Sequence, residues 1–305
     1  MQAVVAAQHA RGRTRHFPEA SMSRTVLRSA LVASVATVAL LVSGCASGAA
    51  EPAASDTPAA EEGYVTPGKL TIGTGEPAYE PYVIANEPES GEGFESAVAY
   101  AVAEELGFAK EDVVWVRTTF ESAIAPGPKD FDFNIQQYTI TEEREQAVDF
   151  SSPYYEASQA IVAIKGGKAD DVTDIAGAKE LLLGAMAGST SATTVEQAIA
   201  PTTAPLLFNS NEDARAALEA DQIDGLVLDL PTAYVAANFY IEDAFLVGEL
   251  PAAGVPDQWG LLLANESPLT ERVTAAVDAL REDGTLDALK EEWLSVLSAG
   301  ATQLQ

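Results

Sequence analysis

Between Leu70 and Trp293 short apolar runs alternate with segments whose apolar positions recur every three to four residues. Lys69–Thr74, Val113–Arg117, Lys129–Phe133, Ser158–Lys165, Leu181–Ala185 and Gln222–Asp229 read as strands. Helices are expected at Gly93–Gly107, from Phe120 to Ile124, from Asn209 to Ala220, and at Thr232–Asn238, Pro268–Leu280 and Thr285–Leu297. A turn-rich stretch, Gly248–Pro256, precedes a further strand, Gln258–Ala264. Alternation of strand and helix predicts an α/β fold with parallel sheets, and ligands beyond the carboxyl ends of the strands.

Composition narrows the partners. The chain has 305 residues, 47% of them hydrophobic, enough for one large or two smaller domains. Its 46 acids against 17 bases give a formal net charge of −29, which repels nucleic acid and anionic lipid. Solubility of an exported protein accounts for that acidity better than ligand choice does.

The N-terminus supplies the export reading. Arg24 and Arg28 precede an apolar run, Ala30–Val42, and then Val42-Ser43-Gly44-Cys45. The run is short for a membrane span and leads into a polar linker. It resembles a bacterial lipoprotein signal, which implies a lipid on Cys45, anchoring to the outer face of the cytoplasmic membrane, and a signal region of residues 1–44. Translation starting at Met22 would give a signal of ordinary length. The linker, residues 45–63, is rich in Ala, Pro, Glu and Ser and carries no apolar periodicity, as a tether requires.

Cleavage before Cys45 has a chemical consequence. Five of the bases and one of the acids lie ahead of it, which leaves 12 bases against 45 acids and a formal charge of −33. Both histidines are lost with the signal, and Cys45 is the chain's one cysteine. Histidine-dependent triads, thiol redox chemistry and the usual zinc ligand sets are thereby excluded, and no cofactor or metal is expected.

The segment Asn134–Tyr155 carries the most specific pattern. Thr141 followed by Glu142, Glu143 and Arg144 reads as a helix N-cap with acids in the first turn. Arg144 offers a planar fork of donors that fits a carboxylate, or else pairs with Glu142 or Glu143 on a solvated helix face. Ala187-Gly188-Ser189-Thr190 forms a strand-to-helix turn whose backbone N–H groups favour an anion; the P-loop lysine is missing. Asp229 ends a strand and overlooks the cleft, or caps the helix that follows. Gly73-x-Gly75-x-x-Ala78 superficially fits a dinucleotide fingerprint, but Pro77 and Pro81 disfavour the helix it needs.

The run TIT-x-x-R followed by VDFS-x-PYY (Thr139–Tyr155), with the ending Leu280-Arg281-Glu282-Asp283-Gly284-Thr285 and Trp293 beyond it, resembles the family-3 extracellular solute-binding proteins of ABC importers. The resemblance covers about Leu70 to Trp293. It implies a two-lobed periplasmic-binding-protein-like fold of type II with two crossing strands as hinge: residues 64–163 plus 257–305 in one lobe, 164–256 in the other. It implies Arg144, Thr139 and Thr190, with Ser189, around the carboxylate of a polar amino acid and Asp229 at its ammonium. Glu76, Tyr79, Phe120, Gln137 and Tyr138 would line the remainder, Phe120 being equally readable as core. Asn134, Gln136 and Gln137 depart from the family, which commonly has small residues there. A membrane permease is the implied partner of a monomeric, non-enzymatic chain. Cyclohexadienyl dehydratases and the sensory modules of receptors share the fold and remain the competing readings.

Overall fold

The computed structural model describes residues 63–251, 257–295 and 301–305. The signal region, Cys45 and the linker ahead of Gly63 lie outside them. Two five-stranded sheets organise the chain. The first contains β1 (Leu70–Gly75), β2 (Val113–Thr118), β3 (Phe133–Asn134), β4 (Val148–Ala157) and β10 (Asp257–Ala264), ordered β2-β1-β3-β10-β4. The second contains β5 (Gln159–Ile164), β6 (Leu183–Met186), β7 (Leu206–Phe208), β8 (Gly225–Asp229) and β9 (Ala244–Glu249), ordered β7-β6-β8-β5-β9. Each is a lobe of a two-lobed α/β fold.

The sheets are mixed, where alternation alone predicted parallel ones. β1 runs parallel to β2 and β3, and β6 parallel to β7 and β8. The strands that cross between lobes enter antiparallel: β10 against β3 and β4, and β5 against β8 and β9. Chain crossing, which the sequence pattern does not encode, therefore sets strand direction.

Helices pack on the first sheet because their apolar stripes match it. In α1 (Phe94–Glu105) Phe94, Val98, Ala99 and Val102 are buried, and in α7 (Thr270–Glu282) Val273, Val277 and Leu280. With α8 (Thr285–Leu294) they cover a core centred on Trp259, whose ring meets Tyr82 edge-on at 5.5 Å and Tyr155 at 4.8 Å. The shorter helices α2 (Phe120–Ile124), α3 (Ile175–Ala178), α4 (Thr190–Thr194), α5 (Asn211–Glu219) and α6 (Leu230–Val235) follow strands or turns. Of these, α4 and α6 start directly beyond the carboxyl ends of β6 and β8 and bring those termini to the gap between the sheets.

Several expectations change. Lys129–Phe133 is mostly loop, and the strand there is only Phe133–Asn134. Thr141 does not start a helix: its hydroxyl accepts from the Arg144 amide at 3.2 Å, closing a single 3₁₀ turn, Arg144–Gln146, before β4 claims the chain. The first crossing falls at Ser158, not after residue 163, since the whole of β5 hydrogen-bonds within the second sheet. The C-terminal residues, expected with the first lobe, lie on the second. Glu249 donates its amide to Thr302 O at 2.8 Å, Leu304 N returns to Glu249 O at 2.9 Å, and the Leu304 side chain is 1% exposed in the second core. Gly248 makes room for it, since a Cβ there would lie 2.6 Å from Leu304 Cγ. Five residues at a terminus carry no periodic signal, so this docking is a tertiary effect.

Leu304→Ala should lower stability by roughly 2–4 kcal/mol, the usual loss for a buried leucine. Urea denaturation of the variant beside the parent chain measures it; an unchanged midpoint would show that the tail contributes nothing to the second lobe.

Candidate functional site

The carboxyl ends of β1, β3, β6 and β8 face the space between the sheets. There lies a cleft of about 610 Å³, its open mouth included, lined from one side by Tyr79, Tyr82, Phe120, Gln136, Gln137 and Arg144. From the other side come Met186, Ser189, Thr190, Ser191, Asn211, Leu228, Asp229 and Thr232.

Arg144 is 9% exposed and reaches across the gap. Its Nη1 donates to Thr139 O at 2.7 Å and its Nη2 to Gly188 O of the opposite lobe at 2.9 Å. Among the described residues no carboxylate pairs with it, so the solvated-helix reading is set aside. Burial lowers its pKa, while Tyr138, Asp257 and Asp229 oppose the shift. The guanidinium lies 5.3 Å from the Phe120 ring centre, and Phe120 in turn stacks on Tyr138 at 4.7 Å. Thr139 and Thr190 hydroxyls meet across the cleft at 3.3 Å.

Positioning of these groups is local chemistry. Residues 138–140 run antiparallel to β10, Gly260 N donating to Tyr138 O at 3.0 Å and Ile140 N to Gln258 O at 2.8 Å. On the other lobe Gly188, at φ 71°, turns the chain after β6 into a conformation that costs an L-residue. Ser189 then caps α4, accepting from Ala192 N at 3.2 Å.

Asp229 sits on β8 directly opposite Gln159 of β5. Gln159 Nε2 donates to Asp229 Oδ1 at 2.6 Å and to Asp257 Oδ2 at 2.7 Å, and its Oε1 accepts from Ser191 at 2.7 Å. Asp229 occupies the cap position of α6, yet its side chain makes no capping bond. Pro231 falls in the first turn, where its missing N–H costs nothing. Loss of water, then the neighbouring Asp257 charge, pushes the Asp229 carboxyl up to about 8, against the Gln159 hydrogen bond and Arg144.

A second carboxyl lies behind the cleft. Glu95, fully buried in the first turn of α1, accepts from Gln137 N at 2.9 Å, from the Gln137 amide and from the Tyr154 hydroxyl. Burial raises its pKa to about 7. It fixes the loop in which Gln137 adopts φ 50°.

Of the residues singled out in the sequence, Arg144, Asp229, Thr190, Ser189, Tyr79, Phe120 and Gln137 line the cleft, and Thr139 adjoins it through Thr190. Two do not. Tyr138 is wholly buried beneath it, where its hydroxyl donates to Gln136 Oε1 at 2.9 Å. Glu76 turns outward to Arg117 at 3.5 Å. The bulky Asn134 is accommodated inside the sheet against Gly73, its amide donating to Thr118 Oγ1 at 2.8 Å. Gln159, Asn211, Thr232 and Met186 went unnoticed as lining or supporting residues. Gln159, a polar residue opening an apolar strand, is the one whose sequence context carried a signal.

The family model for bacterial extracellular solute-binding proteins, family 3, matches residues 70–296. The chain belongs to that family. Among family relatives, the ABC transporter glutamine-binding protein GlnH of Bacillus subtilis is 29% identical over 211 residues, 68% of this chain and 75% of that protein. The L-arginine-binding protein of Pseudomonas aeruginosa is 27% identical over 235 residues, covering 72% and 86%. Among solved structures, an ancestral arginine-binding protein bound to glutamine superposes with a TM-score of 0.62 at 31% identity, covering 75% of this chain and 99% of that one. The two-lobed fold of type II periplasmic binding proteins is thereby shared.

From the burial that raises the Asp229 pKa, we predict that closing of the empty cleft depends on pH. Opening is expected to give the carboxyl back part of its water and lower its pKa toward the ordinary 3.8, whereas the closed form holds it at about 8. The closed empty form thus takes up a proton between these values, is favoured as pH falls, and opens as pH rises through about 8. Small-angle scattering of ligand-free protein from pH 8 down to 5 should show contraction on acidification, abolished in Asp229→Asn. A contraction that persists in Asp229→Asn, or none in the parent, would refute the assignment.

Proposed function

We propose that this chain captures a free α-amino acid outside the cell and delivers it to the membrane subunits of an ABC importer. The observation that carries this reading is that Arg144 and Asp229 enter one cleft from opposite lobes without an ion pair between them. A zwitterion answers both: its carboxylate goes to Arg144, Thr190 and the N–H groups opening α4, its ammonium to Asp229. Only the closed arrangement satisfies both charges, so the ligand's differential affinity drives closure. Hinge closure of this kind is general among periplasmic binding proteins. Relatives that bind glutamine and arginine support the ligand class.

The lipid on Cys45 and anchoring at the outer face of the cytoplasmic membrane belong to the same proposal, supported by Arg24–Cys45. A non-enzymatic role is favoured over a dehydratase. Glu76, an acid that could serve a dehydratase as proton donor, lies outside the cleft, and Asp229 is held by Gln159. The structural likeness at 28% identity to an ancestral amino acid-binding protein, a precursor of cyclohexadienyl dehydratase, is likeness to a binding protein. Turnover of prephenate or arogenate would reverse the preference.

Removing one member of a desolvated charge pair costs roughly 2–5 kcal/mol. Arg144→Ala and Asp229→Ala should each weaken amino-acid binding at least about thirtyfold, at about 1.4 kcal/mol per decade. Calorimetric titration against the twenty amino acids, ornithine and citrulline decides it, with circular dichroism to confirm folding. Near-native affinity in either folded variant would sink the clamp.

A further inference from the structure

Charge is scarce in the cleft beyond the two groups a zwitterion consumes. Every lining residue other than Arg144 and Asp229 is uncharged. Two of them are carboxamides from opposite lobes with unused hydrogen-bonding capacity. Gln136 has its Oε1 occupied by the Tyr138 hydroxyl at 2.9 Å, which fixes the amide and leaves Nε2 as a donor without a partner among the described residues. Asn211, the first residue of α5, has its helix capped by Ser210, whose Oγ accepts from Asp213 N at 3.1 Å. Its own carboxamide takes no part in that cap and makes no hydrogen bond among the described residues, so both its donor and its acceptor remain available to the cleft.

We propose that the side-chain end of the cleft takes an uncharged, carboxamide-bearing amino-acid side chain, of the glutamine or asparagine kind, read by Gln136 and Asn211. The proposal rests on the amino-acid reading of the site and adds the class of side chain. A side-chain amide matches the available groups: its carbonyl accepts from Gln136 Nε2, and its NH₂ and carbonyl match the acceptor and donor of Asn211. Each unmade bond in a narrow cleft leaves a desolvated polar group, so a side chain lacking them is rejected.

Charged side chains meet a worse environment. A guanidinium or ammonium needs a carboxylate to offset its lost hydration. Four acids close to lining residues are engaged elsewhere. Glu76 pairs with Arg117 at 3.5 Å, and Glu95 is buried behind the loop under Gln137 and Tyr154. Glu80 and Glu212 border an adjoining hollow that also holds Arg215, where Tyr240 and Tyr79 hydrogen-bond to them. An acidic side chain finds Arg144 already taken by the α-carboxylate.

Competitive calorimetry on the purified chain tests this with glutamine, asparagine and citrulline against arginine, lysine, ornithine, glutamate and aspartate. The expected result is at least about tenfold tighter binding of the carboxamides than of any charged side chain. Gln136→Glu, which retains an acceptor for the Tyr138 hydroxyl, should shift the ratio of arginine to glutamine affinity at least about tenfold toward arginine. Asn211→Asp on the other lobe should shift it the same way and serves if the first variant does not fold. A charged amino acid binding as tightly as glutamine overturns the side-chain assignment while leaving amino-acid capture intact. If Glu212→Gln then abolishes that binding, the adjoining hollow is the true side-chain site. Absence of binding to any α-amino acid takes down both readings.

Discussion

Arg144 and Asp229 sit on different lobes, and closing the lobes strips water from a cation and an anion that do not touch each other. Either charge alone in such a cleft is unfavourable, and neither neutralises the other directly. Much of the surrounding structure compensates for that cost. Arg144 is given two carbonyls, Thr139 O and Gly188 O, which accept its donors without cancelling its charge. Asp229 is given one amide hydrogen from Gln159, itself held by Ser191 and shared with Asp257. These partners orient the charges and leave the larger share of their electrostatic demand to whatever enters.

The contacts that hold the lobes together point the same way. Polar contacts recur across the gap: Arg144 to Gly188 O, Thr139 to Thr190, Tyr82 to Thr232 at 3.0 Å, Tyr79 to Glu212 and Tyr240 to Glu80. Hydrogen bonds of this kind contribute about 0.5–1.5 kcal/mol each after water is accounted for. Such contacts are set against a raised Asp229 pKa in the empty closed form, and a ligand's differential affinity can then decide the conformation. Apolar contact across the gap includes Tyr234 and Val235 of α6, which pack against the first lobe's core.

Legibility followed the range of the interaction. Helices α1 and α7 were readable because apolar spacing reports a buried face, whereas Arg144 and Asp229, for which the residues alone left a helix-face pairing and a helix cap open, stood out through the resemblance to the family. Strand direction was not, since β10 and β5 run antiparallel to their neighbours for topological reasons. Thr141 was misjudged as a helix start because a threonine followed by acids looks the same whether the turn propagates or ends after one step. Tyr138 was placed at the ligand and Glu76 beside it, although one serves the protein interior and the other the outer surface; neighbours distant in sequence, Phe120 and Arg117, settle that. Gln159 escaped notice because its partners, Asp229 and Asp257, lie 70 and 98 residues away.

The loop after β3 shows how rigidity and recognition are joined. Its backbone is tied to β10 at Tyr138 and Ile140, while Gln137 is tied to the buried Glu95 of α1. Tyr154, on β4, completes the Glu95 cluster, so one carboxyl connects a helix, a strand and the loop. Burying that acid is unfavourable, as its raised pKa records, and three donors in a fixed arrangement offset the cost. The outcome is that the backbone carrying Gln136, Gln137 and Thr139 is held by the first lobe's core instead of by solvent. Groups fixed in this way lose little entropy when a ligand arrives, so binding energy remains available for closing the second lobe.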